Sequence, residues 1–418
     1  MSLRSLLQNP FKDLERALGY RFRRRSRLEL ALTHPSFRHE ATDVPDDNQR
    51  LEFLGDAVLG MVVADHLVAT HREDAEGELT RLRSQIANTQ ALAKIGKEIG
   101  LGDVLRNYFK YLKIFNETIR HIREEKPDAV VVIDSPAFNL RLAKKISSFV
   151  PVLYYISPQL WAWGKRRIHI VKKHVREMLV ILPFEETFYA DEGVEAKFVG
   201  HPLLDAIPEL PDVGTLRAKL GISAGQKAIG LFSGSREKEV KRILPVMLKA
   251  AAILRKNTPG TSFFISRSSN VRPAIYEKIL AQAEVKPGCP AVPFYELVRA
   301  MDFALVTSGT ATLETTLIGT PFFLLYKTGW STYWLGKYLI KVPYLGLVNL
   351  LADDRVVPEF IQGDARPETI AHEAKVFLQS PELQGKMREE FRQVRGKLGE
   401  KGASAKTAKE ICDFLLKL

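Results

Sequence analysis

Apolar positions recur at intervals of three and four residues through the first 106 residues of the chain. No alternating strand pattern competes with this helical spacing. The spacing predicts helices over Phe11–Leu18, Leu28–Leu32, Leu51–Leu67 and Ile86–Ile99. We therefore expect an all-α segment over residues 1–106.

From about residue 107 the pattern changes to short β-branched runs, each followed by an amphipathic helical stretch. The runs predict strands over Ala129–Ile133, Val152–Ile156, Met178–Ile181, Lys197–Val199, Ala228–Phe232, Ser262–Ile265, Phe303–Val306 and Pro321–Leu325. Strands that alternate with helices indicate parallel sheets covered by helices on both faces, so we expect an α/β fold. Residues 366–418 return to a purely helical pattern.

These patterns divide the chain into four parts. Residues 1–106 form the helical segment, 107–200 a first Rossmann-like domain, 201–365 a second one, and 366–418 the C-terminal helices. Gly200-His201-Pro202 is the expected joint between the two Rossmann-like domains. No linker composition separates the first two parts near residue 106.

Composition narrows the function classes. The 418 residues include two cysteines, Cys289 and Cys412, which excludes a disulfide framework and a cysteine-based zinc site. No apolar run approaches the roughly 20 residues that span a bilayer, and the N-terminus lacks a signal-peptide pattern. We therefore expect a cytoplasmic protein, with contact to a membrane surface left open.

The net charge of +12 is unevenly distributed. Residues 1–106 hold 16 basic and 16 acidic residues, and residues 107–418 hold 45 basic and 33 acidic ones. The basic excess of the second part favours a phosphate-bearing ligand or an anionic membrane. The alternative is an ordinary solvated basic surface.

The densest N-terminal motif is Asn48-Gln49-Arg50-Leu51-Glu52-Phe53-Leu54-Gly55-Asp56. Glu52 and Asp56 are four residues apart, so a helix presents both carboxylates on one face. Such a pair can bind Mg²⁺, although two solvated surface acids are the simpler interpretation.

This motif, with Ala31-Leu32-Thr33-His34-Pro35-Ser36 and Glu76-Gly77-Glu78-Leu79-Thr80, resembles the ribonuclease III family. The resemblance implies Mg²⁺-dependent cleavage of double-stranded RNA, with Glu52 and Asp56 as metal ligands. Gln49 stands where the family usually has Glu, and the family's second acidic motif, Asp-x-x-Glu-Ala, is missing. Two-metal phosphodiester cleavage needs more carboxylates than this, so the segment resembles an incomplete half of the nuclease domain.

Two strand-to-helix corners of the second Rossmann-like domain suit a phosphate. The strand ending at Phe232 runs into Ser233, Gly234, Ser235 and Arg236. Gly and Ser permit a tight turn with free backbone N–H groups, and Arg236 offers a planar fork to phosphate oxygens. An ordinary capped helix start is the alternative.

The second corner follows the strand that ends at Val306. It contains Thr307, Ser308, Gly309, Thr310, Ala311 and Thr312. Small hydroxyl residues at a helix N-terminus suit an anionic ligand, and Glu314 lies where a carboxylate can accept both ribose hydroxyls. Two such corners in one domain predict a nucleotide site.

The first Rossmann-like domain offers a candidate base and an aromatic loop. Asp134 follows a strand, where it can act as general base or cap the next helix. The string Tyr154–Trp163 precedes Gly164-Lys165-Arg166-Arg167. Aromatics beside a basic cluster suit a sugar or lipid phosphate, a membrane surface or nucleic acid, whereas core packing is the default for each Trp.

Together, several strings of residues 107–418 resemble the lipid-A-disaccharide synthases, which are type-B glycosyltransferases of two Rossmann-like domains. The strings are Val132-Ile133-Asp134, Ser157-Pro158-Gln159-Leu160-Trp161-Ala162-Trp163, Leu182-Pro183-Phe184-Glu185, Gly200-His201-Pro202, Gly234-Ser235-Arg236, Ser308-Gly309-Thr310-Ala311-Thr312-Leu313-Glu314 and Val348-Asn349-Leu350-Leu351. They occur in the family's order.

The resemblance implies a metal-independent, inverting transfer without a cofactor. The donor would be UDP-diacylglucosamine and the acceptor the 6-hydroxyl of diacylglucosamine 1-phosphate (lipid X), on the cytoplasmic face of the inner membrane of a Gram-negative bacterium. Asp134 would take the acceptor proton, Arg236 and residues 308–312 would stabilise the leaving UDP, and Glu314 would hold the ribose.

Three departures and one further segment complete the comparison with the synthases. Ser233 stands where the family commonly has Pro, and Ala137 where it often has Asp. The family's opening Gly-Glu-x-Ser-Gly-Asp string is absent, so we expect an incomplete first domain, retained UDP binding and low turnover. The segment Trp330–Leu351 interleaves aromatic, aliphatic and lysine residues, which suits an interfacial membrane contact or packing in the core or a homodimer.

Three functional hypotheses follow. The leading one is the glycosyltransferase, which accounts for about 312 of the 418 residues. The second is a ribonuclease III-type endonuclease with an incomplete Mg²⁺ site. The third is a non-enzymatic product of two genes joined at a short shared string near residues 104–106.

Overall fold

The computed structural model describes residues 11–20, 22, 24–33, 48–71, 73–86, 101–162, 164–329 and 342–418. They divide into two compact units. The first unit takes in the described residues up to Pro127 together with Ser135–Ser148. The second takes in Asp128–Asp134 and Phe149–Leu418, with the masked positions of those ranges left aside.

The described part of the first unit is helical. Its helices are α1 Lys12–Ala17, α2 Arg25–Ala31, α3 Gln49–Thr70, α4 Glu76–Ile86, α5 Leu101–Glu125 and α6 Pro136–Ile146. The boundary predicted near residue 106 falls inside α5, which continues for 25 residues. The helix predicted over Ile86–Ile99 lies outside the described residues after Ile86.

The first unit has a small core that joins helices from both sides of residue 106. Phe11, Leu14 and Leu28 form a buried cluster, against which Leu112 of α5 packs. Further along α5, the ring of Phe115 lies 5.3 Å from that of Phe138 on α6. The helices before residue 106 therefore pack on the helices that follow it.

Helix α3 forms where the apolar spacing predicts it, but its apolar residues are exposed. Leu54, Val58, Met61 and Val62 are between 48% and 66% exposed, whereas Leu67 is buried. The spacing predicted the helix correctly and did not predict whether its apolar stripe is covered.

The second unit begins with a four-stranded parallel sheet. Its strands are β1 Val130–Ile133, β2 Val152–Tyr155, β3 Glu177–Val180 and β4 Ala196–Phe198, in the order β1-β2-β3-β4. The helices after β2, β3 and β4 are α7 Ile168–His174, α8 Pro183–Asp191 and α9 Leu203–Ala206. Strand β1 is an edge strand of this sheet, and Ile133 at its end is 55% exposed.

A five-stranded parallel sheet follows. Its strands are β5 Ala228–Phe232, β6 Ser262–Ile265, β7 Phe303–Thr307, β8 Phe322–Tyr326 and β9 Glu359–Ile361, in the order β6-β5-β7-β8-β9. The chain runs outward from β5 to β6 and then returns to the other side of β5 as β7. In open parallel sheets, ligands bind at the strand carboxyl ends where the winding reverses in this way. The fold therefore singles out the ends of β5 and β7.

Helices pack against the second sheet and against one another. They are α10 Val213–Lys219, α11 Glu237–Asn257, α12 Pro273–Ala281, α13 Phe294–Ala300, α14 Thr310–Ile318, α15 Leu347–Ala352, α16 Pro367–Gln379 and α17 Pro381–Lys397. The last helix, α18 Ala403–Leu415, lies against the end of the first sheet, where Glu410 pairs with Lys197 of β4 over 2.8 Å. Phe303 of β7, Phe323 of β8 and Phe377 of α16 form one aromatic cluster in the core. The two parallel sheets with helical layers confirm the predicted α/β architecture.

The structure adds one strand to the eight predicted ones. Strand β9 has three residues, of which Phe360 is buried at 6% exposure, so its sequence carries little apolar signal. Among the described residues, no helix is both long enough and apolar enough to cross a bilayer.

Candidate functional site

The corner after β5 is tight and lies against the corner after β7. Gly234 adopts a positive φ of 94°. A Cβ atom there would lie 2.5 Å from Oε2 of Glu239 and 3.3 Å from Cγ2 of Thr307. Glycine is therefore required at residue 234 by the backbone conformation and by the close approach of Glu239. The contact with Thr307 shows that the two predicted corners adjoin.

Arg236 stands at the start of α11 and is held by its own helix. Its Nη1 donates to Oε1 of Glu239 over 3.0 Å, and its backbone N–H donates to Oε2 over 3.3 Å. The side chain of Arg236 is 72% exposed. The structure thus shows the capped helix start that was the alternative interpretation, with a guanidinium at the rim of the corner. Ser235, which lies between Gly234 and Arg236, is exposed.

The corner after β7 is open at its glycine. Gly309 has φ 150° and ψ −164°, a conformation that is essentially restricted to glycine. No atom lies within 4 Å of the position that a Cβ would occupy there. The hydroxyl of Thr312 donates to the Gly309 carbonyl over 2.7 Å and ties this corner to the first turn of α14. The positive end of the α14 dipole thus faces an open turn.

The remaining residues of this corner differ in their exposure. Thr310 is exposed, whereas Ser308 and Ala311 are half-buried. Glu314 lies one turn further along α14 and accepts a 2.9 Å hydrogen bond at Oε1 from Oη of Tyr295. Burial raises the pKa of Glu314, and burial with the nearby carboxylate raises the pKa of Tyr295 to about 12.

The residues predicted to bind a nucleotide therefore come from two adjoining strand ends. Gly234, Ser235 and Arg236 follow β5, and residues 308–312 with Glu314 follow β7, which pairs with β5 in parallel. A ring contact of 5.2 Å between Phe232 and Phe294 links the end of β5 to the helix that carries Tyr295. This arrangement can receive a diphosphate on the corners and a ribose near Glu314.

Asp134 occupies a strained corner at the end of β1. Asp134 and Ser135 have φ values of 49° and 45°, so two consecutive non-glycine residues lie in the left-handed region. Such conformations cost free energy and concentrate at functional sites. The N-cap residue of α6 is Ser135, which directly follows Asp134. The backbone carbonyl of Asp134 accepts a 2.7 Å hydrogen bond from Oη of buried Tyr154, and Asp134 is exposed.

Glu185 holds the aromatic loop after β2 and was not recognised as a functional residue from the sequence. It is 1% exposed. Its Oε1 accepts from Ser157 Oγ over 2.5 Å and from Trp161 Nε1 over 3.0 Å, and Oε2 accepts from the Leu182 N–H over 3.1 Å. Burial raises the pKa of Glu185. The only signal in the sequence was its place in the Leu182–Glu185 string.

Other predicted sites find less support or lie outside the described part of the chain. The basic cluster forms a short 3-10 turn over Lys165–Arg167, where Lys165 pairs with Glu192 over 2.6 Å. Trp163 is outside the described residues, and so are residues 330–341 of the segment proposed for a membrane contact. Glu52 is exposed on α3, and the Asp56 side chain is outside the described part. Within that part, no three metal-binding side chains converge.

Comparisons with known proteins agree on one family. A family model described as lipid-A-disaccharide synthetase matches residues 66–411. The lipid-A-disaccharide synthase of Myxococcus xanthus (strain DK1622) is 39% identical over 329 residues, which cover 76% of this chain and 83% of that protein. The match by the family model starts 40 residues before the predicted boundary at 106.

Solved structures agree with the fold. The UDP-GlcNAc 2-epimerase from Neisseria meningitidis bound to UDP-GlcNAc is similar with a TM-score of 0.50 and 16% identity, over 74% of this chain and 81% of that one. The nuclease domain of ribonuclease III from Campylobacter jejuni is 42% identical over 22% of this chain and 62% of that one, with a TM-score of 0.21. That score is too low to establish a shared fold, and the ribonuclease alternative finds no further support.

Proposed function

Because the chain belongs to the lipid-A-disaccharide synthase family, a family of glycosyltransferases, we propose the following reaction for it. It transfers 2,3-diacylglucosamine from UDP to the 6-hydroxyl of 2,3-diacylglucosamine 1-phosphate. The products are the β-1,6-linked disaccharide 1-phosphate and UDP. The observation that carries this proposal is the contact between the Gly234 corner and Thr307 where the sheet winding reverses.

The two corners bind the donor in this scheme. Backbone N–H groups around residues 234–235 and 309–310 face the diphosphate, and the N-terminus of α14 adds a favourable dipole. Arg236 turns from Glu239 to the phosphate oxygens, which an exposed side chain can do at little cost. Glu314 accepts the ribose hydroxyls with the oxygen that Tyr295 does not use.

Asp134 acts as general base. Its carboxylate takes the proton of the acceptor 6-hydroxyl as the hydroxyl oxygen attacks the anomeric carbon. The bond between that carbon and the UDP oxygen breaks on the opposite side, which inverts the configuration. The electron pair leaves with UDP, where Arg236 and the α14 N-terminus stabilise the additional negative charge.

The substrates determine where the reaction takes place. Both carry acyl chains that remain in a bilayer, so we place the protein on the cytoplasmic face of the inner membrane as a peripheral enzyme. The basic excess of residues 107–418 attracts anionic headgroups to this part of the chain.

The helical segment of residues 1–106 is, in this proposal, a ribonuclease III-like fragment without nuclease activity. Its motif resembles the first half of the nuclease site, and the second acidic motif is absent from the sequence. Incubation of the full chain with double-stranded RNA and Mg²⁺ is expected to leave the RNA intact. Mg²⁺-dependent cleavage that E52Q abolishes would overturn this assignment.

The transferase is tested by calorimetry with UDP and by single-turnover transfer to lipid X in mixed micelles. Wild-type protein is expected to bind UDP without a divalent ion. D134N is expected to bind UDP equally well and to transfer the sugar about 100-fold or more slowly. Absence of UDP binding by the wild type, or equal transfer rates in D134N and wild type, would contradict the proposal.

A further inference from the structure

Two buried hydroxyl groups at the candidate site have no hydrogen-bond partner. Ser233 and Thr307 are each 2% exposed, and their side-chain oxygens are unpaired. Within the described part of the chain, the only other buried side-chain atom of this kind is Oδ1 of Asn48. Buried hydroxyls are normally hydrogen-bonded, so an unpaired pair at one place calls for an explanation.

The hydroxyls of neighbouring threonines satisfy this rule. The hydroxyls of Thr312, Thr315 and Thr316 each donate to a backbone carbonyl one turn earlier in α14, over 2.7 to 2.9 Å. Thr320 donates to the Val298 carbonyl over 2.8 Å. The unpaired state is therefore specific to the two strand ends and is not general for this sheet.

Ser233 and Thr307 also lie side by side. Phe232 of β5 pairs in register with Val306 of β7, so the next residues on the two strands are Ser233 and Thr307. Residues in register on parallel strands point to the same face of the sheet and are separated by about 4.8 Å. The contact between Gly234 and Thr307 shows that the two strands remain close beyond this point.

We propose that the Ser233 and Thr307 hydroxyls together bind one oxygen of the diphosphate of the bound nucleotide. Both hydroxyl oxygens are buried in the free protein, so each side chain turns about its Cα–Cβ bond when the nucleotide binds. Each hydroxyl then donates its hydrogen to the diphosphate oxygen, which accepts both bonds. An anionic oxygen is the acceptor that suits two unpaired donors at a strand-end corner, because hydrogen bonds to a charged acceptor are the stronger ones. This inference rests on the proposed function and adds two residues to its donor site.

The variants S233A and T307V test the proposal, because they remove each hydroxyl with little change of volume. Calorimetry on the full chain compares UDP with uridine, which lacks the phosphates. We expect each variant to bind UDP about tenfold more weakly and uridine as the wild type does. Because the free protein leaves both hydroxyls unpaired, the urea midpoint of each variant should equal or exceed that of the wild type.

T320V is the matched control. It removes a buried hydroxyl that has a protein partner, so it should lower the urea midpoint and leave UDP affinity unchanged. Equal UDP affinity in S233A, T307V and wild type would overturn the inference while leaving the proposed function intact. A lower urea midpoint without a loss of UDP affinity would assign the hydroxyls to a structural water, and would also overturn it. If the wild type bound no UDP, both proposals would fail together.

Discussion

Tyr295 donates its phenol hydrogen to Oε1 of Glu314 over 2.9 Å, and this bond joins the start of α13 to the second turn of α14. Burial raises the pKa of Glu314, whereas the hydrogen bond from Tyr295 lowers it. The phenol therefore favours the ionised carboxylate, which is the form that accepts hydrogen bonds from a ribose.

We expect Glu314 to select for the ribose. Wild-type protein should bind UDP about tenfold more tightly than 2′-deoxy-UDP, and E314Q should lose this preference because an amide replaces one acceptor oxygen by a donor. Calorimetry with the two nucleotides measures both effects. An unchanged preference in E314Q would remove Glu314 from the ribose site.

The pH dependence of UDP binding should report the same group. Because the pKa of Glu314 is raised, the carboxylate is lost, and UDP binding weakens, as the pH falls through a value above the ordinary 4.5. In Y295F the midpoint should move to higher pH, since the bond that lowers the pKa is gone. E314Q should show no such midpoint in its UDP binding, because its side chain does not titrate. A midpoint that does not move in Y295F would contradict the assignment.

Gly234 should tolerate no side chain. In G234A the new Cβ would lie 2.5 Å from Glu239 Oε2, and its backbone would keep a φ of 94° that L-residues disfavour. We expect a loss of about 1–3 kcal/mol in the free energy of unfolding, with weaker UDP binding. G221A is the control, because Gly221 also has a positive φ of 68° and nothing within 4 Å of its Cβ position. G221A should lower the free energy of unfolding without weakening UDP binding. Equal UDP affinities in G234A, G221A and the wild type would contradict the prediction.

The fold class and both strand-to-helix corners could be predicted from the sequence because each depends on local patterns. A β-branched run, a small-residue turn and a helical stretch are all contained in about twenty consecutive residues. The strand order could not be predicted in this way, so no local pattern indicated that Ser233 lies beside Thr307. Tyr295 and Glu314 are 19 residues apart, and Ser157 and Glu185 are 28 apart, so both bonds depend on packing between elements.

Glu185 should stabilise the loop after β2. In E185A three donors, from Ser157, Trp161 and Leu182, lose their acceptor, and those of Ser157 and Leu182 are buried. We expect a loss of about 3 kcal/mol in the free energy of unfolding, measured with urea. E195A, at an exposed residue of the same domain, should change it by less than about 0.5 kcal/mol.

The pH dependence at Glu185 has a definite sign. Because burial raises its pKa in the folded protein, the folded state binds the proton more tightly than the unfolded state. The stability of the wild type relative to E185Q should therefore decrease as the pH rises above the unfolded value of 4.5. Urea unfolding of both proteins at pH 5 and 7.5 measures this difference. A difference that grows with pH would show that Glu185 is ionised more easily in the folded state.

His201 should make the joint between the two sheets sensitive to acid. His201 is 7% exposed, and its backbone N–H donates to the Leu398 carbonyl over 3.1 Å. Its ring Nδ1 accepts from the backbone N–H of Leu203 over 3.2 Å. Burial lowers the pKa of His201 from 6.5 to about 4, so the folded protein keeps it neutral. The contribution of neutral His201 to the free energy of unfolding is present above pH 6.5 and is lost as the pH falls toward 4, by up to about 3 kcal/mol.

H201N should remove this part of the pH dependence, since an amide oxygen can replace Nδ1 without titrating. H372N, at an exposed histidine, should retain it, and equal pH profiles for H201N and wild type would contradict the prediction.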